Sequence, residues 1–491
     1  MKTILHALER HASRQAEKTA ISGQGRLSWK QLYQATLAMT ASLNWVRTVG
    51  VHMENSPAWI VTDLAAMATG VTHVPLPTFF STAQLRHTIR DAQIDTIITD
   101  NPQRVAELAE IGGEIEIDIA GKACSQLFLY RQRGVPHNIT SAKLTYTSGT
   151  TGTPRGVRLG LPAIQQVAGS LAEVSEACAD DRALVVLPLS ILLENIGSVY
   201  TPILAGAEII VPGAEELGIH GSSRVDAARF ARALNHYRPT TLIVPPNLLK
   251  LLVALGQQQQ LPDSFRFIAV GGAPAGTRLL DAAAELGLPV FQGYGLSEAC
   301  SVVAVNSPAN NRPGSVGKPL PHSRVRVDAE QRIYVSGTTA DGYLNGKDFE
   351  DTQELDTGDL GYLDDEGYLY VTGRHRNRII TGYGRNISPE WIESELLAHP
   401  DIAQAAVFGD EAGDIVAVLV ATTVHTPTRL SAVLEAINAG LPDYARINRY
   451  IAAPSPFSHE RGELTAAGAM LRDAIAQRYI TPTQHLMEDS A

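Results

Sequence analysis

The sequence predicts an α/β protein in two unequal parts. A large N-terminal domain of mixed sheets with crossover helices spans residues 1–373, and a smaller α+β domain spans 374–491. Three observations carry this. Through the middle of the chain, short runs rich in valine and isoleucine alternate with helical patterns, as crossover units and mostly parallel sheet require. From about Arg332 the texture changes to short alternating segments separated by Asp- and Gly-rich turns, such as 364–367, which is hairpin chemistry. After Arg374 a new unit begins, with its own helix start, strands and closing helix. A length of 491 residues also exceeds what one core usually holds, so two to four domains are expected.

The elements follow in order. Residues 1–15 carry charges throughout and lack a signal peptide's apolar core, so a cytoplasmic location is the expectation. Ile4, Leu5 and Leu8 sit at helical spacing and predict a short amphipathic helix. Segments 183–189, 208–211 and 240–244 read as buried strands. Pro245 and Pro246 then open a helix whose apolar positions are Leu248, Leu249, Leu251, Leu252 and Leu255. A strand at 266–270 ends in the turn Gly271, Gly272, Ala273, Pro274; a helix through Leu279, Leu280 and Ala284 and a strand at 289–292 follow. Ligands of such folds gather at the carboxyl ends of the strands, where these glycine turns lie. Strands are expected at 332–335, 367–372 and 378–381. In the last unit Ser388 supplies a hydroxyl N-cap, Pro389 the first helical position and Glu390 a first-turn acid. Strands at 405–408 and 415–423 and a helix at 430–441 complete it, and the boundary falls near 373–376. The glutamine run 257–260 is the one low-complexity stretch, a loop or helix end.

Composition narrows the function classes. With 44% hydrophobic and 19% charged residues, the chain is neither collagen-like, disordered nor a coiled coil. Its longest apolar stretch, 183–193, is short and broken by Pro188 and Ser190, so no transmembrane helix is expected. Cys124, Cys178 and Cys300 are scattered and form neither a disulfide framework nor a zinc pattern. A net charge of −11 argues against a nucleic-acid partner. Eight of the basic residues are lysine against 32 arginines, and the last lysine is Lys347.

Three motifs carry chemistry. In TYTSGTTGTPRGV at 145–157, the hydroxyls of Thr147, Ser148, Thr150, Thr151 and Thr153 interleave with Gly149 and Gly152 and precede Arg155. Glycines let backbone N–H groups turn inward and hydroxyls add donors, which suits phosphate oxygens. The run is not a Walker A loop, since no Gly-Lys-Ser/Thr ends it; a polar linker is the competing reading. The second motif is Gln292, Gly293, Tyr294, Gly295, Leu296, Ser297, Glu298 on the turn after a strand. Tyr294 offers a flat face to a base, Ser297 a hydroxyl and Glu298 a carboxylate able to hold Mg2+; a β-turn with a surface tyrosine competes. The third pairs Asp356-Thr357-Gly358-Asp359 with Gly373-Arg374, where a carboxylate can accept from ribose hydroxyls and an arginine can meet ribose or phosphate. Aspartates that merely form a turn are the alternative.

Together, in this order and spacing over nearly the whole chain, the motifs resemble the adenylate-forming superfamily. That group holds acyl- and aryl-CoA synthetases, nonribosomal peptide adenylation domains and luciferases, and the stretch GRHRNRIITGYGRNISPEWIESEL is most similar to the long-chain acyl-CoA synthetase-like branch. The resemblance implies a small β-barrel-like part within the large domain and a mobile C-terminal domain hinged at 374–377, with Arg376 at the hinge. It implies an ATP-dependent, Mg2+-requiring ligase that activates a hydrophobic, fatty carboxylic acid as acyl-AMP. The acyl group then passes to CoA or to an acyl carrier protein's phosphopantetheine thiol, an aryl acid being the alternative substrate. By the same resemblance Arg155, Ser297 and Glu298 are catalytic, the 147–153 loop holds phosphate, Gly272, Ala273 and Pro274 lie beside adenine, and Asp359 and Arg374 meet ribose. The acyl pocket falls on Ser190, Ile191, Glu194, Asn195 and Gly271, between 188–194, 244–247 and 271–297. Gly382 and Gly384 belong to the segment lining the thiol channel.

Three positions depart from that pattern. Arg155 stands where the group has lysine, keeping charge but changing geometry. Ile191 stands where a pocket histidine is usual, as a core residue or as a more apolar wall. Most consequential, the lysine that bonds both carboxylate and α-phosphate during adenylation aligns with Ala469, and no lysine follows Lys347. Arg461 or Arg472 could substitute. Otherwise the chain is diverged toward the thioester step, carries an engineered alanine, or binds nucleotide without full turnover. A dinucleotide oxidoreductase and a serine hydrolase are disfavoured, because neither G-x-G-x-x-G after a strand nor G-x-S-x-G occurs.

Overall fold

The computed structural model describes residues 3–129, 141–147, 154–220, 224–346, 348–349, 354–380, 386–410, 414–422, 427–465 and 469–480. Two large sheets organise the N-terminal part. The first has the order Lys318–Pro319, Ser301–Val305, Val290–Leu296, Phe267–Val270, Thr241–Val244, Arg182–Leu184, Glu208–Val211, Thr19–Gly23, Leu27–Ser28. Every junction from Val290–Leu296 to Thr19–Gly23 is parallel, as the crossover pattern requires. Val244, Val270 and Gln292 lie in one register row, so Pro245, Gly271 and Gly293 emerge side by side at the carboxyl end of this sheet.

The helix Pro246–Gln257 returns over the sheet. Proline at its first position needs no intrahelical partner, and Leu248, Leu249, Leu252, Val253 and Leu255 turn inward onto Leu242, Val244, Ile268 and Val270. The strand expected at 183–189 stops at Leu184. Side chains hold the residues beyond it in a loop: Glu194 Oε1 accepts from the Val186 N–H at 2.8 Å, Asn55 Nδ2 donates to the Leu187 carbonyl at 2.8 Å, and Asn55 Oδ1 accepts from the Leu189 N–H at 2.7 Å.

The second sheet runs Gly342–Tyr343, Arg155–Leu159, Lys143–Thr147, Thr72–Pro75, Thr48–His52, Thr96–Thr99, Lys122–Leu129, Ile111–Ile119. Within it Lys143–Thr147 and Arg155–Leu159 are antiparallel, with Thr147 opposite Arg155. An antiparallel sheet, Ser323–Val327, Arg332–Gly337, Leu355–Leu363 and Leu369–Arg374, occupies the hairpin-rich region.

The C-terminal part packs the helix Pro389–Ala398 on a sheet of Ile402–Gly409, Ile415–Ala421 and Arg449–Ala452. Ser388 caps the helix, its hydroxyl accepting from the Trp391 N–H. Among the described residues, no buried apolar cluster joins residues before Arg374 to residues after it; those of the C-terminal part begin at Ile379. The contact between the two parts is polar instead. The Lys250 ammonium donates to the carbonyls of Leu397, His399 and Ile402 at 3.0, 2.8 and 3.0 Å, and Arg278 lies 3.4 Å from Glu395. No helix among the described residues is long and apolar enough to cross a membrane, and the three cysteines are unpaired, with Cys124 and Cys300 buried.

Candidate active site

The strand Val290–Leu296 and its antiparallel neighbour Ser301–Val305 form a tight hairpin around the one-turn helix Ser297–Ala299. The turn is closed by Cys300 and Ser301 at φ of 55° and 95°, a region L-residues seldom adopt. The glycines make this approach possible. A Cβ on Gly295 would stand 1.7 Å from the Ser301 carbonyl oxygen. Gly295→Ala is therefore expected to destabilise the fold by at least ~3 kcal/mol, the upper end of ordinary overpacking, read as a lowered urea midpoint together with lost calorimetric ATP binding. Gln292 ends the parallel register row, and its Oε1 is buried with no hydrogen-bond partner among the described residues.

Tyr294 ties this hairpin to the third motif. Its hydroxyl donates to Asp359 Oδ2 at 2.6 Å, while Arg374 Nε lies 2.9 Å from Oδ1. Asp359 and Arg374 are cross-strand partners, so the sheet register itself sets the pair. Asp359 is buried and its carboxyl is pushed up by that burial, against the pull of Arg374; the guanidinium is half exposed. The Tyr294 hydroxyl is pushed up by burial and then by Asp359, so it stays a donor.

The phosphate-loop residues Ser148, Gly149, Thr150, Thr151, Gly152 and Thr153 lie outside the described residues, as do Gly382 and Gly384. Their flanks are described. Thr147 is partly buried, and Arg155, opposite it, is exposed. The Arg155 guanidinium carbon lies 5.4 Å from the centre of the Tyr343 ring, and the Tyr343 hydroxyl donates to Glu298 Oε1 at 2.8 Å. The structure thus brings Arg155 and Glu298 to one residue, Tyr343, that none of the three motifs contains. Gly272, Ala273 and Pro274 form an exposed turn, with Gly272 at φ 77° and open space where a Cβ would stand. A Cβ on Gly271 would meet the Gly293 carbonyl oxygen at 3.3 Å, so this turn lies against the glycine-rich strand.

Of the pocket residues, Ser190 and Ile191 are partly exposed on the turn before the short helix Leu192–Asn195. Glu194 and Asn195 are buried and used elsewhere. Glu194 Oε1 accepts from the Val186 N–H at 2.8 Å, and burial pushes the carboxyl up to about 8. Asn195 Nδ2 donates to Asp63 Oδ2 at 3.0 Å and its Oδ1 accepts from Lys143. These belong to a closed polar network. Lys143 Nζ also lies 2.9 Å from Asp63 Oδ1 and 2.8 Å from the Tyr200 hydroxyl, His73 Nδ1 is 2.8 Å from Asp63 Oδ1, and Tyr200 donates to Asp63 Oδ2 at 2.6 Å. A π-helical turn, Ile196–Tyr200, presents Tyr200 to it; such turns are uncommon and often mark functional segments. Sequence reasoning missed this network; Lys143, a fully buried lysine at the start of its strand, is recognisable as unusual only once the chain is folded.

The two arginines considered as stand-ins for the absent lysine are both committed. Arg472 makes two 2.6 Å bonds to Glu393 and one of 2.9 Å to the Val407 carbonyl; Arg461 holds Glu463 at 2.7 Å and bonds the Pro456 carbonyl. Ala469 is exposed, its N–H and carbonyl paired with Thr465. Arg376 is exposed in the single turn His375–Asn377.

No cluster of three or more metal-ligating side chains occurs among the described residues. Mg2+ needs none: it is commonly held by one or two carboxylates plus substrate phosphates. Glu298, partly exposed and with one oxygen oriented by Tyr343, fits that use.

Fold and site together define a nucleotide-binding enzyme built on two sheets and a smaller terminal unit, and the comparisons agree. The model of the AMP-binding enzyme family matches residues 8–344, and that of the AMP-binding enzyme C-terminal domain matches 376–489. The chain belongs to the AMP-binding enzyme family. A 2-succinylbenzoate–CoA ligase of Bacillus cereus (strain Q1) is 31% identical over 442 residues, covering 83% of this chain and 86% of that protein. The long-chain-fatty-acid–CoA ligase FadD15 of Mycobacterium tuberculosis is 25% identical over 507 residues, covering 86% and 84%. The o-succinylbenzoate coenzyme A synthetase of Bacillus subtilis, solved with ATP and magnesium ion, superposes with a TM-score of 0.73 at 26% identity, covering 95% of this chain and 98% of that one.

Proposed function

We propose that this protein is an ATP-dependent, AMP-forming acid–CoA ligase acting on a hydrophobic carboxylic acid. The observation that carries the reading is the convergence of motifs far apart in sequence. Tyr294 joins the 292–298 turn to Asp359 and Arg374, and Tyr343 joins the same turn to Arg155.

In this reading the acid's carboxylate oxygen attacks the α-phosphorus of ATP, the bond to pyrophosphate breaks, and acyl-AMP forms. A thiolate then attacks the acyl carbon, AMP leaves, and the thiol proton passes to solvent. The first step brings anions together, so positioning and charge neutralisation dominate it. Arg155 and Ser297 face the phosphates, with Thr147 at the base of the phosphate loop. Glu298 would hold Mg2+, whose charge offsets that of the phosphate oxygens. Asp359 accepts from ribose hydroxyls on lone pairs not used by Tyr294 and Arg374. Gln292 Oε1, buried and without a partner among the described residues, takes a donor from the nucleotide. Gly272, Ala273 and Pro274 lie beside adenine, and Ser190, Ile191 and Gly271 face the acyl group. We place the domain boundary at 373/374, with a hinge within 374–377 that lets the C-terminal unit reorient. Its supports are the apolar clusters that stop on either side and the break between the two family matches.

A fatty acid is the first choice of substrate, supported by the apolar Ile191 and by the fatty-acid ligase among the relatives. An aryl acid is the second, favoured by the 2-succinylbenzoate ligases. CoA is the expected thiol, because the relatives are named CoA ligases. ATP–pyrophosphate exchange should be measured over a panel of fatty acids, benzoates and 2-succinylbenzoate, followed by thioester formation with CoA and with a carrier protein. Exchange above background with one acid class and loss of at least ~100-fold in Glu298→Gln is expected. No exchange with any acid at high enzyme, with ATP binding retained, would favour a nucleotide-binding protein that does not turn over.

A further inference from the structure

Tyr343 lies outside the three motifs read from the sequence, yet the chain around it touches two of them. The strand Gly342–Tyr343 pairs antiparallel with Arg155–Leu159, Tyr343 opposite Val157, and the Leu344 N–H donates to the Gly156 carbonyl at 2.7 Å. Just before it, the Ala340 N–H donates to the Glu298 carbonyl at 2.8 Å. The segment 340–344 is thus bonded to the strand that leaves the phosphate loop and to the backbone of the Glu298 turn. The side chain repeats that bridge. Its hydroxyl donates to Glu298 Oε1 at 2.8 Å, its face lies 5.4 Å from the Arg155 guanidinium, and Phe349 braces it edge-on with centroids 5.5 Å apart.

We infer that Tyr343 is a positioning residue that aims the Glu298 carboxylate and the Arg155 guanidinium at the same phosphate group. The inference rests on the nucleotide-binding reading above. A metal-holding carboxylate works best when an outer hydrogen bond fixes its orientation. Here the bond occupies one oxygen. The ring does the same for the cation: a planar guanidinium stacks on an aromatic face in a way an ammonium does not need to, which gives arginine at position 155 a partner.

The test is calorimetric titration of ATP onto the full-length protein, with and without Mg2+, for the wild type, Tyr343→Phe and Tyr343→Leu. Tyr343→Phe keeps the ring and should leave Mg2+-free ATP affinity unchanged while cutting the affinity gained from Mg2+ by about tenfold. Tyr343→Leu should lose that gain and, in addition, roughly two- to fivefold of the Mg2+-free affinity, as the platform for Arg155 goes. In a double-mutant cycle, Glu298→Gln with Tyr343→Phe should lose no more than Glu298→Gln alone. A merely structural tyrosine would lower the unfolding midpoint and leave the Mg2+ increment intact, which overturns the inference. Additive losses in the cycle overturn it too. Absence of ATP binding by the folded wild type would instead defeat the nucleotide-binding reading, and the inference with it.

Discussion

Ala469→Lys is expected to raise acyl-adenylate formation by on the order of 10²–10³-fold, the usual worth of one donor aimed at developing charge. Ala469 is exposed, and its backbone is held on both sides by Thr465, so a long side chain can be added there without disturbing the turn. The two arginines that could substitute are already engaged. Arg472 is locked to Glu393, itself buried, and Arg461 to Glu463. ATP–pyrophosphate exchange measures the gain, with Ala469→Met as the uncharged control of similar reach. A lysine variant no faster than the methionine variant would mean that adenylation does not depend on a charge at this place, and would strengthen the reading of a chain that binds nucleotide without turnover.

Lys143→Met is expected to be the most destabilising single change in the large domain, at about 3–5 kcal/mol, because it strands a buried carboxylate. Asp63 is 1% exposed and ionised, its pKa held far below the carboxylate range by Lys143 and His73 against the opposing effect of burial. Removing the ammonium leaves that anion with only neutral or weakly basic neighbours. Burial pulls the pKa of His73 down, so it is a poor replacement cation. The network joins the strand Lys143–Thr147 to the π-helical turn Ile196–Tyr200, which follows the proposed pocket residues Ser190 and Ile191, so on that proposal loss of acid binding should accompany loss of stability. Urea unfolding followed by tryptophan fluorescence gives the number, and Trp59, whose ring centre is 5.6 Å from Lys143 Nζ, reports locally. Asp63→Asn in the same chain should recover part of the loss. A single variant within ~1 kcal/mol of wild type would show that the pair is dispensable.

What the sequence made legible was the part of the fold that local chemistry decides. Strand Glu208–Val211 is buried almost throughout between two parallel neighbours, so it reads as an unbroken Val/Ile run and its bounds were recoverable. The helix after Ser388 announced itself through its cap. Strand Arg182–Leu184 was overextended because the residues after it are held in a loop by side chains, Glu194 on the Val186 N–H and Asn55 on Leu187 and Leu189, and no run of apolar residues encodes those bonds. The site divides the same way. Gln292 to Glu298, Asp359 and Arg374 are visible as motifs because turns and glycines are local demands. Tyr343 is visible only once the chain is folded, since its partner Glu298 lies 45 residues back. Glu194 and Asn195, assigned to the acyl pocket by the resemblance, are buried, with Glu194 bonded to the Val186 N–H and Asn195 to Asp63, partners that no motif announces.

The three carbonyls that Lys250 gathers stand at and just beyond the end of the helix Pro389–Ala398, where backbone acceptors run out of intrahelical donors. Both sides of that contact are groups water satisfies well. Pulling the two units apart would therefore exchange protein hydrogen bonds for hydration, at a net cost of about 0.5–1.5 kcal/mol each, and would open no apolar cluster of the described residues. For the proposed hinge, such a junction would act as a detent rather than a weld, shallow enough for a ligand of ordinary affinity to release.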